Sequence, residues 1–261
     1  MKAVILAGGL GTRLSEETRV KPKPMVEIGG RPILWHILKI YSHYGVNEFV
    51  ICLGYKGYVI KEYFQNYYLH QSDVTFDMSA GTTEIHRSGA EKWKVTLVDT
   101  GEKAMTGARI RKILPHVAGE ESFCLTYGDG VADVDIGALI RFHQAHGKIA
   151  TLTAVAPPGR FGALDIASPE TGEVRRFVEK PAGDGGLING GFFVLRPEVA
   201  SYLAGGDDLI WEQAPLQKLA QDGELMSYRH KGFWKPMDTA RDLTELETFW
   251  ASDAPPWKLW D

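Results

Sequence analysis

Residues 3–7 are an unbroken aliphatic run that ends at Gly8 and Gly9. A short apolar run closed by glycines predicts a strand over 2–7 that is buried on both faces. A loop rich in Gly, Thr, Glu, Lys and Pro follows, through about Gly30. Pro32 then opens a helix at the position where a missing N–H costs nothing. Ile33, Ile37, Ile40, Tyr41 and Tyr44 share one face of that helix, and Gly45 supplies its stop. A second buried strand is predicted over 49–53, ending at Gly54, and a helix over 58–68. This strand–helix–strand order predicts a parallel sheet with right-handed crossovers.

Further along, 72–100 alternates apolar and polar positions, which predicts short strands with a turn around 79–81. A helix is predicted over 107–117, a buried strand over 123–126, and a helix over 136–146 capped by Asp135 and ended by Gly147. Another strand covers 149–155. Beyond Pro157-Pro158, strands are predicted at 163–168, 173–178 and 187–195, and helices at 197–204, 211–222 and 239–251. The first half thus reads as α/β and the second as richer in strands. No linker separates them, so the expectation is one domain over 1–261.

Composition narrows the function classes. The chain has 261 residues, 44% hydrophobic and 24% charged, as an ordinary globular protein does. Lys and Arg total 29 against 33 Asp and Glu, a net charge of -4. No basic excess exists to hold a nucleic acid by its backbone. A small phosphorylated ligand stays open, because a few placed cations suffice for one. Cys52 and Cys124 both lie in apolar runs, as core residues do, and point to a reducing compartment. No window approaches the roughly 20 apolar residues of a membrane span, so no membrane partner is expected and the cytoplasm is the expected location. The eight histidines form no H-E-x-x-H or Cys/His set. His36, His43, His143 and His146 are expected at the surface or in capping roles.

The sharpest feature is Leu6-Ala7-Gly8-Gly9-Leu10-Gly11-Thr12-Arg13, directly after the first strand. Glycines there let the backbone approach a ligand and aim N–H groups at an anion. Arg13 adds a planar, permanently charged fork suited to phosphate oxygens. A dinucleotide fingerprint would need a third glycine where Leu14 stands, and a Walker A loop would need G-K-[ST]. A plain tight turn accounts for an isolated G-x-G equally well. Lys21-Pro22-Lys23-Pro24-Met25 shifts that balance, because prolines on both sides of Lys23 stiffen the chain and lower the entropy cost of aiming an ammonium.

Taken together, the glycine run and the Lys-Pro-Lys-Pro-Met segment resemble the signature of sugar-1-phosphate nucleotidyltransferases. The strings SEETRVKPKPMVEIGGRPILWHI, YKGYVIKEYF, TYGDGVADVD, PPGRFGALDI, EKP, INGGFFVL and FWKPMDT extend the resemblance from end to end. They match the branch that joins CTP and α-D-glucose 1-phosphate to give CDP-glucose and pyrophosphate. The resemblance implies a Rossmann-like fold, with a mixed, mostly parallel central sheet flanked by helices. Residues 1–155 would be mainly a nucleotide-binding half. Residues 156–261 would be mainly a strand-rich sugar-phosphate half with the C-terminal helices. It also implies Mg²⁺, a homo-oligomer (hexamers occur among relatives), and a product used to make dideoxyhexoses of bacterial lipopolysaccharide O antigen.

The residue roles implied by the resemblance are specific. Arg13, Lys23, Asp129 and Asp238 would be catalytic, with Asp129 and Asp238 holding Mg²⁺. Leu6, Ala7, Gly8, Gly9, Gly11, Thr12, Arg13, Lys23, Met105, Thr106, Gly107, Arg109 and Gly128 would bind the nucleotide. Gly162, Glu179, Lys180, Asn189 and Gly191 would bind the sugar phosphate. Ala108 departs from the family pattern, where a second glycine is expected. From the residues alone, Asp238 reads better as a helix N-cap than as a metal ligand, and Asp133 and Asp135 compete with Asp129 for a metal. Base choice rests on the resemblance, so thymidylyl or uridylyl transfer is the alternative, as is a non-catalytic nucleotide-sugar sensor.

Overall fold

The computed structural model describes residues 1–9, 11, 14–157, 163–168, 173–178 and 186–260. In chain order the first half comprises β1 (Lys2–Leu6), α1 (Ser15–Thr18), β2 (Glu27–Ile28), β3 (Arg31–Pro32), α2 (Ile33–His43), β4 (Glu48–Leu53), α3 (Gly57–His70), β5 (Ser72–Asp77), β6 (Thr82–Ser88), β7 (Lys94–Asp99), α4 (Thr106–Val117) and β8 (Phe123–Tyr127). The second comprises β9 (Gly130–Ala132), α5 (Ile136–His146), β10 (Ala150–Val155), β11 (Ala163–Ser168), β12 (Glu173–Val178), β13 (Ile188–Leu195), α6 (Ala214–Gln221), β14 (Leu225–Arg229), β15 (Trp234–Pro236) and α7 (Ala240–Trp250).

Seven strands form the central sheet in the order β14-β10-β13-β8-β1-β4-β7. All neighbours pair in parallel except β13, which runs antiparallel to both β10 and β8. The expected mixed, mostly parallel sheet is therefore present. The two-residue side-chain period sorts β1 onto two cores. Ala3 and Ile5 pack with Ile33, Leu34 and Ile37 of α2, and Val4 and Leu6 pack with Ile110, Ile113 and Val117 of α4. Helices thus cover both faces, as a sheet of near-continuous apolar strands requires.

Most boundaries fall within one or two residues of expectation. Asp135 does cap α5, accepting from the Ala138 N–H at 2.7 Å, and Gly147 ends it at φ 69°. Three differences stand out. The helix expected at 197–204 is a 3-10 helix, Pro197–Tyr202. The helix expected from 211 starts at Ala214, because Trp211 is fully buried against Phe193 and its backbone is held by Thr106. β14 has no expected counterpart; it adds to the sheet beside β10 through backbone pairing, which side-chain patterning records poorly.

Two histidine expectations are overturned. His36 is fully buried, and His143 is 1% exposed. The cause at His36 is the chain's own C-terminal segment. Trp250, Trp257 and Trp260 fold back over α2, and the rings of Trp250 and Trp257 meet the imidazole edge-on. His36 Nε2 sits 2.9 Å from the Ile28 carbonyl, and Trp257 Nε1 donates to Nδ1 at 3.3 Å. Burial holds its pKa down to about 4. His143, on the buried face of α5, meets Thr151 of β10 and is likewise held at about 4, mainly by burial. Cys52 and Cys124 are buried free thiols, each pushed up to about 12 by burial.

Candidate active site

The carboxyl ends of β1 and β8 open onto a cavity of about 430 Å³. In an open parallel sheet this is where ligands bind. Leu6, Ala7, Gly8, Gly9, Gly11, Lys23, Met105, Thr106, Arg109 and Gly128, all named in the sequence as nucleotide-site candidates, are brought together in its lining. Gly107 stands behind this wall, where an added Cβ would fall 2.8 Å from Leu209. Ala108 is fully buried beside it, so its methyl group faces the core rather than the cavity. Thr12 and Arg13 lie outside the described residues.

A second cavity, of about 240 Å³, is lined by Asn189, Gly191 and Trp234 together with Tyr127, Asp129 and Asp238. The last three also line the first cavity, so the two spaces meet at one wall. Asn189 and Gly191 are thus placed together in one cavity, beside the two aspartates. Gly162, Glu179 and Lys180 lie outside the described residues.

Local structure explains how Lys23 and the two aspartates meet. Lys23 begins a single 3-10 turn, Lys23–Met25, between two prolines, and the Met25 N–H donates to the Pro22 carbonyl at 2.8 Å. Gly128 follows β8, and its N–H donates to the Leu6 carbonyl at 3.0 Å. A Cβ there would lie 3.0 Å from both that carbonyl and the Pro24 ring, so only glycine fits without a shift. Asp129 and Asp238 are brought together by a ribbon. β9 starts right after Asp129, β15 ends just before Asp238, and the two pair antiparallel, with Gly130 opposite Pro236. The Met237 N–H donates to the Asp129 carbonyl at 2.8 Å and locks the ends.

The cap of α7 is Thr239, not Asp238. Thr239 and Asp242 form a reciprocal capping box, and Asp242 also accepts from the Asp238 N–H at 3.2 Å. This leaves the Asp238 carboxylate aimed into the cavity. Asp133 and Asp135 are turned elsewhere: Asp133 sits 3.0 Å from His230, and Asp135 caps α5.

Lys23 Nζ donates to Asp129 Oδ2 at 2.6 Å and to Asp238 Oδ1 at 2.7 Å. The lysine side chain is 12% exposed and each aspartate about a third, at 33% and 34%. Burial alone would lower the lysine pKa; the two carboxylates outweigh it, and the net shift is upward. The ammonium is therefore fixed and charged. Two carboxylate oxygens that reach one nitrogen can equally reach one cation. Hard carboxylate donors suit Mg²⁺, which takes one or two of them and completes its shell with phosphate oxygens and water. Among the described residues no group of three or more His, Cys, Asp or Glu could hold a metal alone, so substrate oxygens would complete such a site.

Arg109, besides lining the first cavity, braces the loops around it. It is 4% exposed, and its Nη1 and Nη2 donate to the carbonyls of Leu53, Gly101, Gly8 and Glu102 and to Thr100 Oγ1. Its fork thus ties the end of β4, the loop after β7 and the glycine loop together. Gly8 and Gly54 make room for it, since a Cβ on either would fall within 2.6 Å of the guanidinium. Residues without a sequence signal complete the site. Tyr127 and Trp234 wall the second cavity, and Trp234 Nε1 donates to the Gly190 carbonyl at 2.7 Å. Glu102, Lys103 and Ala104 line the first.

A glycine-lined cavity at the sheet's carboxyl edge, a charged lysine and two convergent aspartates are what phosphate chemistry on a nucleotide requires, and comparison with known proteins agrees. The family described as Nucleotidyl transferase matches residues 2–252, and the chain belongs to it. Within that family it is 63% identical, over the full length of both chains, to a protein of Salmonella typhi named glucose-1-phosphate cytidylyltransferase. It is 48% identical, again over both full lengths, to a probable glucose-1-phosphate cytidylyltransferase of Bacillus subtilis. Among solved structures, HddC from Yersinia pseudotuberculosis superposes with a TM-score of 0.68 at 25% identity, covering 95% of this chain and 99% of that one.

Proposed function

We propose that the chain transfers a cytidylyl group from CTP to α-D-glucose 1-phosphate, releasing pyrophosphate. The observation that carries this reading is the shared wall. One cavity has the glycine loop, the other has Asn189 and Gly191, and Lys23 with Asp129 and Asp238 stands where they meet. A sugar phosphate in the second cavity would face a nucleotide α-phosphate in the first. The full-length similarity to the Salmonella protein supports CTP and glucose 1-phosphate as the pair.

The reaction brings two anions together, so positioning and charge neutralisation dominate. The glycine loop N–H groups and Arg13 would hold the triphosphate. Lys23 would orient the α-phosphate and the attacking oxygen. The attacking phosphate is already largely ionised at neutral pH, so no general base is required. Asp129 and Asp238 would hold Mg²⁺, which when bound would neutralise charge on the α-phosphate and the leaving pyrophosphate. Asn189 can both donate to and accept from sugar hydroxyls, and Glu179 and Lys180 would complete the sugar-phosphate contacts.

Self-association belongs to the same reading. The hairpin β5–β6 stands off the main sheet with Phe76 58%, Met78 90% and Ile85 40% exposed, an apolar surface suited to a second copy. Among the described residues no helix is long and apolar enough to cross a membrane. The deciding experiment is pyrophosphate release from purified protein with Mg²⁺, glucose 1-phosphate and CTP, UTP, dTTP, GTP or ATP in turn. CTP should lead clearly. A lead for dTTP or UTP overturns the base, and no turnover with any nucleotide overturns the reaction.

A further inference from the structure

Thr106 and Tyr127 belong to different walls of the site. Thr106 opens α4 and lines the nucleotide cavity; Tyr127 ends β8 and lines both cavities. Their hydroxyls donate to the two oxygens of one carboxylate. Thr106 Oγ1 donates to Glu212 Oε2 at 2.7 Å, and Tyr127 Oη donates to Glu212 Oε1. On the sugar side Asn189 Nδ2 donates to Tyr127 Oη at 3.3 Å, and Asn189 Oδ1 accepts from the Gly191 N–H at 2.8 Å. On the nucleotide side the Trp211 N–H donates to Thr106 Oγ1 at 2.9 Å. Each hydroxyl therefore both gives and receives, which fixes its orientation.

Glu212 lines neither cavity. Its segment is nonetheless anchored to the start of α4: the Met105 N–H donates to the Asp207 carbonyl at 2.8 Å, and the Ala108 N–H to the Leu209 carbonyl at 3.1 Å. Displacing Thr106 or Tyr127 would pull on the same carboxylate. We propose that Glu212 is a positioning residue that couples the two substrates, holding the nucleotide wall and the sugar wall in one register. Seating one substrate then pre-sets the wall that receives the other, which is positive linkage between the two binding events. This inference rests on the two-substrate reading above.

The test is calorimetric. The probe is α,β-methylene-CTP, titrated with Mg²⁺ into the full chain with and without saturating glucose 1-phosphate. The ratio of the two dissociation constants is the coupling. Wild type should show at least about fivefold tightening, the low end of ordinary coupling between sites. Glu212→Ala should bring the ratio within about twofold of one while each substrate still binds. Glu212→Gln keeps an acceptor for Tyr127 and an amide donor for Thr106, so it should recover most of the ratio. A merely structural role would instead weaken both affinities and leave their ratio unchanged. A wild-type ratio of one, or a wild-type ratio in Glu212→Ala, overturns the proposal. The nucleotide panel judges the functional reading separately; if another base leads there, the coupling is measured with that base's methylene analogue.

Discussion

Replacing Lys23 with methionine isolates the role of its charge. Methionine keeps an unbranched apolar stem of similar length in place of the lysine's. In the free protein the change removes two short ion pairs, but both aspartates are about a third exposed. Solvent screening of that degree keeps the stability cost small, on the order of 1 kcal/mol. Catalysis should suffer far more. A preorganised charge aimed at the reacting phosphate is worth about 10²–10³ in kcat, or roughly 3–4 kcal/mol of barrier. Lys23→Arg should fall nearly as far, because a planar fork cannot reproduce a point charge that bridges two carboxylates from one nitrogen. The assay pairs pyrophosphate release under saturating CTP and glucose 1-phosphate with thermal unfolding of the same samples. A Lys23→Met protein that melts like wild type and turns over within threefold of it would refute the argument. Such a result would mean that the 2.6 Å and 2.7 Å contacts serve only to neutralise the aspartates.

Arg109→Met should destabilise the chain by about 3 kcal/mol or more, since it strands several buried carbonyls at once, and Arg109→Lys should not rescue it; an unchanged denaturation midpoint would refute the bracing role. Gly191→Ala should raise the KM for glucose 1-phosphate more than that for CTP, because Gly191 sits at φ 81° and an added Cβ would lie 2.7 Å from the Tyr127 ring; equal changes in both constants would count against the assigned sugar side. The fold should be acid-labile through its buried histidines. His36 titrates near its ordinary 6.5 when unfolded and at about 4 when folded. Its neutral form is thus favoured by the fold, with the contribution complete above pH 6.5 and lost as pH falls toward 4. At about 1.4 kcal/mol per unit this one group removes about 3 kcal/mol, and His143 acts in the same window. Urea denaturation at pH 7.5 and pH 4.5 measures it, and equal stabilities would contradict the neutral burial of both rings.

Local strings were the readable part of this molecule. The aliphatic run of β1, the glycines after it and the proline-flanked lysine each act through neighbours in sequence, so their structure follows from residue type. The same holds for Asp135 and Gly147 at the two ends of α5. His36 was misread because its burial depends on three tryptophans more than 200 positions further along the chain. Helical periodicity locates a residue on a face but does not say that a distant segment will cover it. The bracing by Arg109 was unreadable for a related reason. Five acceptors surround its fork, and they come from strand ends and loops that sequence spacing does not bring together.

The pairing of Asp129 with Asp238 shows how an illegible feature can still have a simple cause. Neither aspartate stands in a spacing that implies a partner, and Asp238 precedes a helix where a cap would be the ordinary expectation. With the cap one residue further on, at Thr239, the Asp238 carboxylate turns to Lys23 instead of the helix end. Three-residue strands on either side of the site then carry the convergence: β9 leaves Asp129 as β15 arrives at Asp238. Strands this short bury little and have weak periodic signals, so pattern reading passes over them. Their backbone pairing nevertheless sets the distance between the two acids, and with it whether one cation can sit between them. Disturbing the ribbon should therefore cost activity without touching any side chain in the cavity. Val131→Pro removes a backbone donor opposite Lys235, and the proline ring clashes with pairing in mid-strand. It should lower kcat by an amount approaching that of Lys23→Met while leaving the glycine loop's hold on nucleotide in place, read as an unchanged dissociation constant for α,β-methylene-CTP without metal. A ribbon variant with wild-type kcat would mean that the two aspartates find each other by another route.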